Sequence, residues 1–391
     1  MRDDHSAMRF SQTAPCRLLI FGANGVFGRR IIKGLATLDG LNIGAVCRTK
    51  QQAIALAQEF KPSVSPLWGD VQCRSEVRSL MDGAHAVFHC AGPFSAHPLH
   101  PLRLALEHGL HYADLGDDPG YLETAAQLMA SYPPVDRIVI CGASSLPSMT
   151  SLLTRMAESR YGPVERISIR MFIGNQNPKG KGVIEYLIHA LRHPFQAMRN
   201  GSSTPEWTWS TSSTYSSPFD SRRHPFSLIE SPDDHFLPLW FKAVEVCFQV
   251  SLEFWWIHHV VRLIGLLQRI TPQWIDPLWS ALLFRGHPLL LSHFGSTLGW
   301  LEVTTTHRHG SDLVIHCQQF SAGDDGQKIP SFPLITIGRA LAGQLPCQTG
   351  TVTRFMDLLA IEQFLTEIRA AGINYHVGRP ISEDGRQAAL Q

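Results

Sequence analysis

No two of the eight cysteines in this 391-residue chain form a C-x-x-C pair; Cys16, Cys47, Cys73, Cys90, Cys141, Cys247, Cys317 and Cys347 are scattered. They read as reduced, mostly core residues of a cytosolic protein, not as a disulfide framework. Charge is scarce too: Asp, Glu, Lys and Arg are 17% of the chain and nearly cancel, to +1. That balance gives no electrostatic case for nucleic acid as a partner. Long apolar runs are missing even where the chain is most apolar. The longest uncharged run there, 286–301, holds His287, Pro288, Ser292 and His293. It is too short and too polar to span a bilayer. The opening Met-Arg-Asp-Asp-His has no apolar segment behind it, so no secretory leader is expected.

Several catalytic signatures are absent as well. No Tyr-x-x-x-Lys occurs, which removes the catalytic pair of a short-chain dehydrogenase, and no G-x-x-x-x-G-K-[ST] occurs to hold ATP. Nineteen histidines invite a metal, and His189 and His193 share a helical face. No acid stands between them and Pro194 follows at once, so no metal site is expected.

The chain does have a glycine turn, "FGANGVFGRR" at 21–30. An apolar run at 17–21 precedes it, and a helical pattern with Ile31, Leu35 and Leu38 on one face follows. Gly22 would permit the bend, Gly25 would let backbone approach a pyrophosphate, and Gly28 would let helix and strand pack closely. The spacing is G-x-x-G-x-x-G instead of the commoner G-x-G-x-x-G, but the mechanism is the same. The amides from Ala23 and Asn24 through Val26 and Phe27 would face the phosphates.

Strand and helix patterns then alternate up to residue 141, as in a doubly wound parallel sheet of six strands. Where NAD binders place an acid for the ribose hydroxyl, this chain has Arg48-Thr49-Lys50. A cationic pair there suits a 2′-phosphate, which predicts NADP (as NADPH) over NAD. Asp70 and Val71, after the third strand, stand where such folds hold the adenine, although Asp70 reads equally as a turn acid.

Three further segments stand at successive strand ends: "HAVFHCAGPFSAHPL" (85–99), "HGLHYADLGDD" (108–118) and "CGASSLPS" (141–148). With the glycine turn, they resemble the saccharopine dehydrogenase-like family of NAD(P)-binding oxidoreductases. "GNQNPKGKG" (174–182), "FGSTLGWLEV" (294–303) and "IPSFPLITIGRALAGQLPC" (330–347) are similar to a bacterial subgroup of it. The resemblance implies a Rossmann-type α/β domain at 14–148 and an α+β substrate and dimerisation domain at 149–345. It also implies a C-terminal segment, 346–391, whose helix returns to the first domain. Cys90, Ala91, Gly92 and Pro93 would edge the nicotinamide, with Asp114, Ser144 and Ser145 on the substrate side. Pro93 reads equally as a strand stop, and Asp114 and the serines as turn or cap residues. Asp114, Tyr112 and His111 are candidate proton donors by location.

The second half is less legible. Eleven of the sixteen residues at 202–217 are Ser or Thr, and prolines run on to Pro238. That fits a mobile loop or an irregular edge strand pair. Eight of nine tryptophans lie between Trp207 and Trp300, and 237–300 holds only seven charged residues. A buried helical pair or a homodimer face is expected there, with peripheral attachment to a membrane surface as the alternative. Taken together, the chain reads as a cytoplasmic NADP-dependent oxidoreductase moving hydride to or from a C=N, C=O or activated C=C group of a small-molecule substrate. A non-catalytic NADP-binding redox sensor and a membrane-surface lipid or polyketide reductase are the alternatives.

Overall fold

The computed structural model describes residues 15–382 except 97, 135, 179, 221, 291, 292, 311 and 349. The opening residues, and the last nine of the expected C-terminal segment, lie outside the described residues. Two compact units are present: residues up to 144 with 330–367, and 145–329 with 368 onward.

In the first unit, CRLLIF is buried at every position but Arg17, which is the mark of a strand covered on both faces. This is β1 (Cys16–Phe21). The chain continues through α1 (Val26–Leu35), β2 (Leu41–Cys47), α2 (Lys50–Glu59), β3 (Val64–Trp68) and α3 (Arg74–Met81). Then come β4 (Ala86–His89), α4 (His100–Glu107), β5 (His111–Asp114), α5 (Pro119–Ala130) and β6 (Val139–Ile140). All six strands pair in parallel, in the order β3-β2-β1-β4-β5-β6. The order reverses between β1 and β4, and at such a switch point the carboxyl ends of the strands open a crevice.

The second unit begins with α6 (Thr150–Tyr161), β7 (Val164–Ile173), α7 (Lys181–Arg192), β8 (Pro194–Arg199) and β9 (Ser202–Trp207). Next are β10 (Ser212–Ser216), β11 (Arg223–Leu228), α8 (Pro232–Phe241), β12 (Glu245–Leu252), α9 (Trp255–Gln268) and α10 (Asp276–Leu290). Two long strands, β13 (Gly299–His309) and β14 (Asp312–Ala322), follow. The closing elements are α11 (Lys328–Leu341), α12 (Ile361–Ala370), β15 (Asn374–Val377) and β16 (Ile381–Ser382). The mixed sheet runs β10-β11-β12-β7-β13-β14-β15, with β16 also beside β14 and β8–β9 as a separate pair. The Ser/Thr-rich stretch therefore forms two strands in different pairings, β9 against β8 and β10 against β11.

Two elements differ from the sequence reading. The prolines near 232–238 lie in α8, because Ser231 and Asp234 form a capping box and Pro232 occupies the first turn, where no amide is needed. The helices α9 and α10 are not a buried pair, since their outward faces carry exposed Trp255, Leu263, Leu278 and Leu282.

The chain re-enters the first unit at residue 330, earlier than the expected 346. Glycines account for the fit. A Cβ on Gly34 of α1 would stand 2.9 Å from Ile335, and one on Gly338 of α11 would stand 2.6 Å from Leu35. Phe332 then packs edge to face on Phe355, which meets Phe364 at a tilt, with ring centroids 5.0 Å apart. The last strands leave this unit again, with Tyr375 of β15 opposite Phe320 of β14.

Candidate functional site

Two turns meet at the switch point. Gly22 has φ +73°, and a Cβ there would lie 2.6 Å from the Ala91 nitrogen, so only glycine lets the β1 turn touch the β4 turn. Backbone bonds pin both: Ala23 donates to the Val46 carbonyl (3.2 Å) and Cys90 to that of Phe21 (2.9 Å). Gly28 is equally constrained, since its Cβ would press on the Gly22 and Ala23 carbonyls.

Gly25 is different. Its Cβ would meet only the Gly22 oxygen, at 3.1 Å, and Gly25 and Asn24 are exposed. The space beside Gly25 therefore opens outward at the start of α1. That helix has no side-chain cap and no acid in its first turn, leaving the amides of Val26 and Phe27 and the positive end of the helix dipole for an anion. A cradle of this shape fits a dinucleotide diphosphate. Across the crevice, Gly92 is exposed beside the half-buried Ala91 and Pro93. Backbone thus dominates both edges.

At the end of β2, Arg48 is exposed and Thr49 caps α2 by accepting from the Gln52 amide at 3.3 Å. Lys50 lies over the Trp68 ring, 5.2 Å from its centroid. Asp70 accepts from the Gln72 amide at 2.9 Å, closing an Asx turn, and Val71 is buried behind it.

Asp114 is fully buried, and its carboxylate takes four donors: the Tyr112 hydroxyl (3.0 Å), the Tyr121 hydroxyl (2.7 Å), and the amides of Gly116 (2.9 Å) and Gly142 (2.8 Å). Burial raises its pKa, while the Gly142 and Gly116 amides pull the other way. Burial, reinforced by the Asp114 charge, holds both tyrosines far above their ordinary range, so they remain donors. Cys90 and Cys141 stay thiols for the same reasons. Asp114 and Tyr112, candidate proton donors by location, lie buried inside a knot joining β5, α5 and the turn after β6. Tyr121 is the member the sequence reading missed; its only signal was its place three residues after the Asp118 helix cap.

His111 lies at the opposite end of β5 from Asp114. Its Nδ1 accepts the Ile138 amide at 3.1 Å, and burial next to Arg137 lowers its pKa to about 4. It is a neutral strand tie remote from the crevice. Ser144 donates its amide to the Gly142 carbonyl at 2.8 Å, whereas the buried Ser145 belongs to the second unit.

Beyond the β4 turn the first unit holds a cavity of about 590 Å³, between the segment after β4 and the first turns of α4 and α5. Phe94, Leu99 and Tyr121 give it apolar walls, and His100, Arg103 and Asp118 give it polar ones. Phe94 packs between His89 and Tyr121, with both ring centroids 5.0 Å away. The knot around Asp114 thereby fixes one wall of the cavity.

Residues 18–137 match the family model described as the saccharopine dehydrogenase NADP binding domain. No curated relative matches the sequence. Among solved structures, apo saccharopine dehydrogenase (L-Glu forming) from Saccharomyces cerevisiae matches with a TM-score of 0.60 at 13% identity, over 93% of this chain and 100% of that one. C. glutamicum DAP dehydrogenase in complex with DAP gives 0.44 at 12%, over 90% and 99%. An engineered D-amino acid dehydrogenase bound to NADP+ gives 0.43 at 14%, over 90% and 99%. At 13% identity the likeness to the saccharopine dehydrogenase structure is one of fold.

Proposed function

We propose that the chain, an NAD(P)-dependent oxidoreductase whose residues 18–137 match the saccharopine dehydrogenase NADP binding domain model, moves hydride to or from a C=N, C=O or activated C=C group of a small or medium substrate. NADP, when bound, supplies the hydride chemistry; the chain supplies position and polarity. The observation that carries the reading is the backbone-lined crevice where Gly22 meets Ala91, open at Gly25 beside the uncapped start of α1.

In this reading the α1 amides hold the diphosphate and Arg48 holds the 2′-phosphate. Asp70 and Val71 border the adenine, and Gly92-Pro93 form a rigid edge with no bulky side chain. The cavity beyond Phe94 has the size of a small-molecule site, and Arg103 gives it a cationic side for a polar substrate group. The buried Asp114 acts as a positioning residue, holding Tyr121 against Phe94 so that the cavity wall keeps its shape.

The test is NADPH oxidation by the purified protein with panels of imines, ketones and enoyl thioesters. Turnover with one class, lost in Gly25→Leu, is expected. Tight NADPH binding with no oxidation in any class would overturn the catalytic reading in favour of a redox sensor.

A further inference from the structure

The helices α9 and α10 of the second unit carry an apolar face that nothing in the described chain covers. The inner stripe of α9, His258, Val261, Ile264 and Gly265, is buried. At Gly265 a Cβ would stand 3.1 Å from Leu191 of α7, so this stripe is the packing face. Yet the outer side is apolar too. Trp255 is 66% exposed, Leu263 56% and Leu266 51%, and the series continues after the helix with Ile270 (80%), Trp274 (73%) and Leu278 (62%). A helix apolar on both faces needs a second apolar environment.

The charges on this segment are of one sign. Arg262, Arg269 and Arg285 are exposed, and Arg269 lies over the Trp207 ring at 4.3 Å. The one acid of the two helices, Asp276, is neutralised by Arg192 through bonds of 2.6 and 2.8 Å. Glu253, just before α9, is committed to the amides of Asn175 (2.7 Å) and Ser296 (2.8 Å). Among the described residues no helix is long and apolar enough to cross a membrane.

We infer that this face rests on an anionic lipid surface. Tryptophans and leucines enter the interfacial layer, and the arginines meet the headgroups. The arrangement suits a bilayer better than a second copy of the chain. A two-fold contact through this face would oppose three arginines with three more, and neither copy offers an uncommitted acid on these helices to answer them.

The test is co-sedimentation of the full chain with vesicles of equal phosphatidylglycerol and phosphatidylcholine, and with vesicles of phosphatidylcholine alone. Binding to the mixed vesicles is expected, weaker by about tenfold or more without the anionic lipid. Leu263→Glu with Leu266→Glu should abolish binding to both. Arg262→Glu with Arg285→Glu should weaken only the anionic arm, by about tenfold or more. Unchanged circular dichroism and thermal melts establish that the exposed-site variants fold. Wild-type protein remaining in the supernatant with mixed vesicles would overturn the inference. So would a dimer in sedimentation equilibrium that Leu263→Glu dissociates while vesicle binding is absent, since a second copy would then cover the face.

Discussion

The carboxylate of Asp114 and the amide of Gly142, twenty-eight positions apart, meet at 2.8 Å inside the first unit. This bond ties the end of β5 to the turn after β6, and the two tyrosine hydroxyls on the other carboxylate oxygen bring in α5. Removing the acceptor strands the Gly116 and Gly142 amides, while the two tyrosine hydroxyls, 3.3 Å apart, keep only each other. Asp114→Ala should therefore lose about 3–5 kcal/mol in urea unfolding, because each unmet buried polar group costs roughly 1–3 kcal/mol. Asp114→Asn keeps an oxygen for the two amides and should lose less than half as much. If Asp114→Asn were fully stable but devoid of turnover, the residue would belong to the chemistry and not to the scaffold.

Gly25 separates the binding role of the glycine turn from its folding role. A Cβ there meets only one carbonyl oxygen of the protein, at 3.1 Å, whereas at Gly28 it would press into the backbone of the preceding turn. Gly25→Leu should keep a near-native melting temperature and raise the NADPH dissociation constant about a hundredfold, by filling the phosphate space. Gly28→Leu should unfold the first unit. Equal NADPH affinity in wild type and Gly25→Leu, measured by fluorescence titration, would place the diphosphate elsewhere.

Arg48 tests the choice of nucleotide. It is exposed at the end of β2, and its neighbour Lys50 is drawn over Trp68, so Arg48 is the cation left to meet a 2′-phosphate. A charge-assisted bond contributes about 1.5–3 kcal/mol, so Arg48→Ala should weaken NADPH by about ten- to a hundredfold and leave NADH unchanged. Equal loss for both nucleotides in parallel titrations would remove the phosphate from its role.

The first unit was legible because its signals are local. The buried run of β1, the glycines behind it and the strand ends at 90–93 lie within short windows, and a parallel sheet imposes their order. Asp114 was located but its surroundings were not, since Tyr121 and Gly142 reach it from other elements and no spacing rule links them. Pro238 obscured α8, as a proline in the interior counts against a helix until the capping box at Ser231 is seen to secure its start. The composition of 255–285 announced apolar helices but not their exposure. Apolarity says that a face must be covered, and only the packing against α7 says which face already is.

Asp234 makes the stability of the second unit pH-dependent. It is buried and accepts from the Ser231 amide (3.0 Å) and hydroxyl (2.9 Å), while the adjacent Asp233 is held by the Thr150 hydroxyl at 2.8 Å. Burial raises Asp234 to about 7 against the pull of Ser231 and Arg199, and pushes Asp233 well above its usual range. The folded chain therefore keeps a proton on Asp234 up to about 7, whereas the unfolded chain releases it near 3.8. Between those values the folded state binds more protons, so stability falls as pH rises, by up to about 1.4 kcal/mol per pH unit for one such group. Asp234→Asn retains the acceptor for Ser231 and has no proton to lose. Its unfolding free energy in urea should match wild type near about pH 3 and exceed it by about 2–4 kcal/mol at about pH 8. Parallel pH profiles for the two proteins would mean that Asp234 is ionised in the folded chain throughout, with Arg199 and the Ser231 donors outweighing its burial.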